Sequence, residues 1–133
     1  MVWSRRNFIL LSSSLTLARH GVSEVLAAPP STVELVMVEE TGCRFCRKWD
    51  ADVGPAYLSS PEGRFAPLKR VKRGAPEIAG FAPATYTPTF ILVRDQTELG
   101  RITGYPGASF FWEELAPLLQ AAGFAPQHQP EKM

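Results

Sequence analysis

The sequence predicts an α/β sandwich, with a mixed central sheet and helices packed against it. Three observations carry this. Short β-branched apolar runs stand near residues 32–39 and 88–94, and a helix-compatible run follows the first of them. The elements also come in a telling order: strand, helix, strand, variable segment, hairpin, helix. A strand–helix–strand unit pairs its strands in parallel and a hairpin pairs its own in antiparallel, so the sheet is mixed.

Thr32-Val33-Glu34-Leu35-Val36-Met37-Val38-Glu39 has the pattern of a mostly buried strand. Glu40-Thr41-Gly42 is a turn, with Thr41 or Gly42 placed to cap the next helix. That helix is expected from about Cys43 through Lys48, Trp49 and Val53, and Pro55 ends or kinks it. Ser60-Pro61-Glu62-Gly63 reads as a turn, and Pro67 to Arg73 as a short strand. The basic residues Lys69, Arg70, Lys72 and Arg73 on that strand are expected to be solvated rather than to form a binding patch. Gly74 to Ala84 is irregular or one short helix, punctuated by Pro76, Gly80 and Pro83.

Pro88 to Arg94 is a strand again, and Asp95-Gln96-Thr97 turns it into a hairpin with Glu98 to Ile102. Gly104-Tyr105-Pro106-Gly107 leads to the last helix, started by Ser109. Phe111, Leu115, Leu118 and Ala122 form its apolar face, Pro117 should bend it and Gly123 should close it. Trp49, Tyr86 and Tyr105 are expected to pack in the core or at its rim.

The N-terminus does not read as part of this fold. Ser4-Arg5-Arg6-Asn7-Phe8-Ile9-Leu10 resembles a twin-arginine export signal. The apolar stretch from Phe8 to Ala18 is diluted by Ser12, Ser13, Ser14 and Thr16, and is too short for a membrane span of about 20 residues. Ala27-Ala28 before Pro29-Pro30 offers a cleavage site after either alanine. The expected organisation is an export signal over 1–27, one domain over 28–124 and a flexible tail over 125–133. Cleavage removes three arginines and one glutamate, so the formal charge moves from +1 to −1. No basic balance remains to imply a nucleic-acid partner. The expectation is a monomeric periplasmic protein with no membrane span.

Cys43-Arg44-Phe45-Cys46 holds the chain's two cysteines, at the start of a predicted helix. Two thiols one turn apart can close a small ring, and a helix N-terminus favours the thiolate that attacks disulfides. Cys43, nearer the helix end, is the expected attacking thiol and Cys46 the resolving one. Arg44, Arg47 and Lys48 add positive charge that favours the thiolate, whereas Glu39 and Glu40 oppose it if they approach the sulfurs. Phe45 is placed to offer an apolar contact to a partner. Metal binding and a structural staple are the rival readings. A zinc site needs about three or four ligands, and beyond the cysteines the chain offers only His20 and His128, so no metal site is expected. Arg47 stands where a covalent haem needs histidine, and no G-x-G-x-x-G occurs, so no cofactor is expected either. A disulfide that closes so small a loop stabilises a fold weakly.

The chain resembles the thioredoxin-like superfamily over about residues 32–122. The resemblance rests on Cys43-Arg44-Phe45-Cys46 at a helix start, Thr87-Pro88 opening a later strand, and Gly104 between hairpin and last helix. Glu40-Thr41-Gly42 before the first cysteine, Tyr57-Leu58 and Pro67-Leu68 are most similar to small periplasmic thioredoxin-like proteins linked to sulfur-oxidation systems. This resemblance implies a cis Pro88 facing the cysteine pair and protein disulfides as substrates. Thr87 would offer backbone groups to a bound peptide. With no nicotinamide or flavin motif of its own, the chain would draw electrons from a membrane thiol transporter. Thioredoxin itself has Trp before the first cysteine and Gly-Pro between the pair, where Gly42 and Arg44-Phe45 stand here, so its potential and partners do not transfer. The alternatives are a thioredoxin-fold binding module with a structural disulfide, or a copper carrier.

Overall fold

The computed structural model describes residues 32–126. The twin-arginine motif, the Ala27-Ala28 cleavage site and most of the expected tail lie outside them. Four strands form one sheet: β1 (Val33–Glu39), β2 (Leu68–Lys72), β3 (Thr89–Arg94) and β4 (Thr97–Thr103). Their order is β2-β1-β3-β4, with β1 parallel to β2 and antiparallel to β3, and β3 antiparallel to β4. Leu35 faces Leu68 on one side and Leu92 on the other, so the central strand β1 is paired along both edges. The sheet is the mixed one that the element order predicts.

Strand alternation sends two sets of side chains to opposite faces. One face gathers Leu35, Met37, Phe90, Leu92 and Ile102 beneath the helices α1 (Arg44–Asp52), α2 (Gly54–Ser59) and α4 (Ala108–Ala121). Trp49, Tyr57, Phe90 and Phe111 are fully buried there, with ring centroids of Trp49 and Phe90 5.2 Å apart and of Phe90 and Phe111 4.9 Å apart. The other face carries Val36, Val38, Val71, Ile91 and Val93, covered by Ala75, Ile78 and Phe81 from the connection after β2. That connection contains one 3₁₀ turn, Pro76–Ile78, as the expectation of a short helix allowed.

Several boundaries differ from the sequence reading, each for a local reason. Pro55 does not simply end the first helix. The helix stops at Asp52 and a second begins at Gly54, with Pro55 in its first turn, where a missing N–H is harmless. Ser60-Pro61-Glu62-Gly63 is likewise a helix start rather than a turn. Ser60 caps α3 (Pro61–Phe65), its Oγ accepting the Gly63 N–H at 2.9 Å. Gly63 has to be glycine, because a Cβ there would collide with the Tyr57 carbonyl. Ser109 does not start α4 either: Gly107 occupies the cap position and Ser109 lies inside the first turn.

Leu119 is fully buried on α4, whereas Leu118 is half-buried and packs toward Gly100 of β4. Pro117 sits inside α4 on its exposed side. Gly123, at φ 98°, closes the helix as expected. The N–H groups of Gly123 and Phe124 bond the carbonyls of Gln120 and Leu119, acceptors of the last helical turn. The hairpin turn is tighter than read, with Asp95 and Gln96 both at positive φ and Thr97 already in β4. Among the described residues, no helix is long and apolar enough to cross a membrane.

Candidate active site

Strand β1 ends at Glu39 and the chain turns through Glu40, Thr41 and Gly42 into α1. Neither Thr41 nor Gly42 caps the helix. Cys43 does, because its extended backbone leaves the side chain beside the first free N–H groups. Its Sγ accepts the backbone N–H of Cys46 at 3.1 Å. The sulfur therefore takes the place of an N-cap oxygen, at the positive end of the helix dipole. Cys43 and Cys46 are joined in a disulfide, with their Cα atoms 5.2 Å apart.

The two sulfurs have unlike surroundings. Cys43 is half-buried, whereas Cys46 is 4% exposed and belongs to the aromatic core with Met37 and Trp49. Arg44 is exposed and lays its guanidinium over the Phe45 ring, 5.1 Å from the centroid. Phe45 itself is 44% exposed, the state of a contact residue rather than a core one.

The acidic pair that could oppose a thiolate is engaged elsewhere. Glu39 takes Arg70 at 2.6 Å and Lys72 at 3.2 Å, and Glu40 takes Arg73 at 2.5 Å. Burial pushes the Glu39 carboxyl up, but the hydrogen bonds from Arg70 and Lys72 outweigh it and hold the group below its ordinary range. Lys69, Arg70, Lys72 and Arg73, on and just after β2, are thus exposed, as expected, yet three of the four are paired. Arg70 also bonds both carboxylate oxygens of Asp50 on α1, which ties the strand to the helix that carries the sulfurs. Arg73 also donates to the Thr85 carbonyl at 3.2 Å.

The Thr87–Pro88 peptide bond is cis, and Pro88 is buried at the head of β3. Thr89, a polar residue almost fully buried, donates its hydroxyl to the Tyr86 carbonyl at 2.6 Å and so closes the loop around Pro88. The Pro88 carbonyl accepts the Gly104 N–H at 2.8 Å. Among the described residues, the amide and carbonyl of Thr87 make no backbone hydrogen bond.

Phe45, Tyr86, Thr87, Gly104, Tyr105 and Pro106 line one open cleft of about 280 Å³. The structure therefore brings Phe45 and Thr87, 42 positions apart in sequence, to the same surface. Tyr86 is 68% exposed, so it is not core packing; it lines the cleft. Tyr105 is buried, with its hydroxyl on Asp52 at 3.0 Å. The sequence reading did not single out Thr89 or Asp52. A buried Thr right after Thr87-Pro88 could have been suspected from its place in the strand pattern, but nothing local marks Asp52. Among the described residues, no group of three His, Cys, Asp or Glu side chains lies close enough to hold a metal ion.

A search of solved structures finds the reduced form of the periplasmic thioredoxin SoxS from Paracoccus pantotrophus, 43% identical to this chain. The match covers 68% of this chain and 98% of that one, with a TM-score of 0.63. The chain belongs to the SoxS-type thioredoxin family. No family model matches it, and no curated protein matches it. Membership, together with a bonded cysteine pair at a helix start, makes this SoxS-type thioredoxin a thiol–disulfide oxidoreductase.

Proposed function

We propose that this thioredoxin works in the periplasm as a reductase of disulfides on exported partner proteins, among them components of a sulfur-oxidation system. The unequal burial of the two sulfurs carries the reading: an accessible sulfur at the helix cap and a sheltered one a turn inside. Cys43 is then the attacking group and Cys46 the resolving one. The periplasmic setting draws support from the solved neighbour and from the paired arginines at residues 5 and 6.

In the reduced protein the helix N-terminus favours the Cys43 thiolate. It attacks one sulfur of the partner's disulfide, and the other leaves and takes up a proton. The Cys46 thiol then gives up its proton and attacks the Cys43 sulfur. This releases the partner's second thiol and leaves the Cys43–Cys46 disulfide. Two electrons have passed to the partner, together with one proton from Cys46 and one from solvent. An external dithiol, such as that of a membrane thiol transporter, restores the pair. Phe45 supplies an apolar contact to the partner, Arg44 adds positive charge beside the sulfurs, and Thr87 offers free backbone groups to an incoming extended segment beside cis Pro88.

Reduction of the interchain disulfides of insulin tests the roles. Cys43→Ser should abolish turnover, and unchanged turnover would refute the reading. Cys46→Ser should trap mixed disulfides through Cys43, visible on non-reducing gels of periplasmic extract. The reduction potential decides direction: a value near about −270 mV fits a reductase, and one near about −120 mV makes the protein an oxidant.

A further inference from the structure

Tyr105 follows Gly104 in the connection between β4 and α4, which forms one wall of the cleft. Its hydroxyl donates to Asp52 Oδ2 at 3.0 Å, across 53 positions of sequence. Asp52 is the last residue of α1, the helix that begins at the cysteine pair. Lys48, two residues after Cys46, completes the cluster: its Nζ lies 2.6 Å from the same Asp52 oxygen and 5.8 Å from the centre of the Tyr105 ring. The wall is thus attached at two points. The Gly104 N–H holds it to Pro88, and the Tyr105 hydroxyl holds it to α1.

These two ties differ in kind. The first is backbone to backbone and any sequence could make it. The second depends on three particular side chains, and it connects the wall to the element that carries Phe45, which lines the same cleft. We propose that Lys48, Asp52 and Tyr105 form a latch that fixes the width of the cleft between Phe45 and the 104–106 wall, and so sets the affinity for the extended segment flanking a partner's disulfide. Asp52 and Lys48 are positioning residues in this role, since neither lines the cleft. The latch stays set under ordinary conditions. Hydrogen bonds from Lys48 and then Tyr105 hold the Asp52 carboxyl below its usual range, and burial followed by the Asp52 bond pushes the Tyr105 hydroxyl up to about 12.

The inference rests on the reductase reading above, and the two fail differently. If that reading is wrong, the wild-type protein does not turn over insulin at all. If only the latch is wrong, wild-type turnover stands and the variants below do not show the expected pattern. Tyr105→Phe keeps the ring and removes the hydroxyl, and Asp52→Ala changes a side chain at the surface. Each should raise the KM for insulin about three- to tenfold, the scale of one partly solvated hydrogen bond, with kcat held within about twofold.

The double variant should be no worse than either single one, because both remove the same bond. Asp50→Ala is the control: it loses an equally exposed acid of α1 that holds Arg70 and makes no bond to Tyr105. Its KM should stay within about twofold of wild type. The proposal is overturned if the single effects multiply in the double variant, if kcat falls while KM holds, or if Asp50→Ala raises KM as much as Asp52→Ala does.

Discussion

The two faces of the sheet are built from different materials. Under the helices, Trp49, Tyr57, Phe90 and Phe111 pack ring against ring, with Trp49 meeting Phe111 at 5.5 Å and 74°. Edge-to-face contacts of this kind add stabilisation beyond the area they bury. On the far side, Val36, Val38, Val71, Ile91 and Val93 lie beneath a mostly irregular connection with one 3₁₀ turn. The functional groups divide between these regions. Cys46 is embedded in the aromatic face, while Tyr86 and Thr87 follow directly from the connection that covers the other. On the proposed mechanism, the sulfur that resolves a mixed disulfide is thus the one held among the rings. The groups proposed to meet a partner adjoin an irregular cover, the kind of segment in which local opening costs little.

That contrast breaks first, and by the largest margin, if one residue on each face is cut back to alanine. Trp49→Ala should cost about 3–5 kcal/mol, since the ring is fully buried and its three aromatic neighbours are fixed by their own contacts. Ile91→Ala should cost about 2 kcal/mol, at the low end for such a truncation, because the covering connection can settle into the space left behind. Urea unfolding of both variants measures the difference. Equal losses would mean that the irregular cover packs as rigidly as the helices do.

The aromatic face was legible in part. Short, nearly continuous apolar runs in β1 and β3 and a repeat of apolar residues on the last helix are strong patterns, so the sheet, its mixed pairing and α4 follow from residues alone. The segment from Val53 to Phe65 was not read correctly. Its two prolines look like terminators, yet each sits in the first turn of a new helix, and only the cap preceding Pro61 distinguishes a helix start from a turn. The site was legible where it is local: two cysteines in four residues, and Thr87-Pro88 before a strand. Its other members come together through tertiary contacts, as Tyr105 with Asp52 or Arg70 with Asp50, and no local pattern encodes those.

A smaller effect separates ring packing from polar anchoring on the same aromatic face. The Tyr57 hydroxyl donates to the Ala66 carbonyl at 2.6 Å, both groups being buried, and burial followed by the nearby Glu62 pushes its ionisation above the ordinary tyrosine range. This bond pins the end of α3 to α2. Tyr57→Phe keeps the ring against Trp49 and Phe111 but strands the Ala66 carbonyl, at a cost of about 1–2 kcal/mol. A loss as large as that of Trp49→Ala would show that the polar anchor, not the rings, dominates this face.

The smallest effect belongs to the edge of the sheet, where Arg70 of β2 joins Glu39 of β1 and Asp50 of α1. These groups are partly solvated, so Arg70→Ala should cost no more than about 1 kcal/mol at neutral pH. The pH dependence identifies the source of even that. The Glu39 carboxyl is held below its ordinary value of 4.5 in the folded chain. Its contribution is therefore complete above that value and disappears as the pH falls through the lower folded value, where both states carry the proton. The gap between wild type and Arg70→Ala should accordingly narrow as urea titrations move from pH 7 toward pH 3. A gap that stays constant would assign the contribution to the aliphatic stem of Arg70 packed along the edge rather than to its charge. The edge would then be an extension of the apolar packing on the aromatic face, and the difference between the two faces would be larger than their rings alone imply.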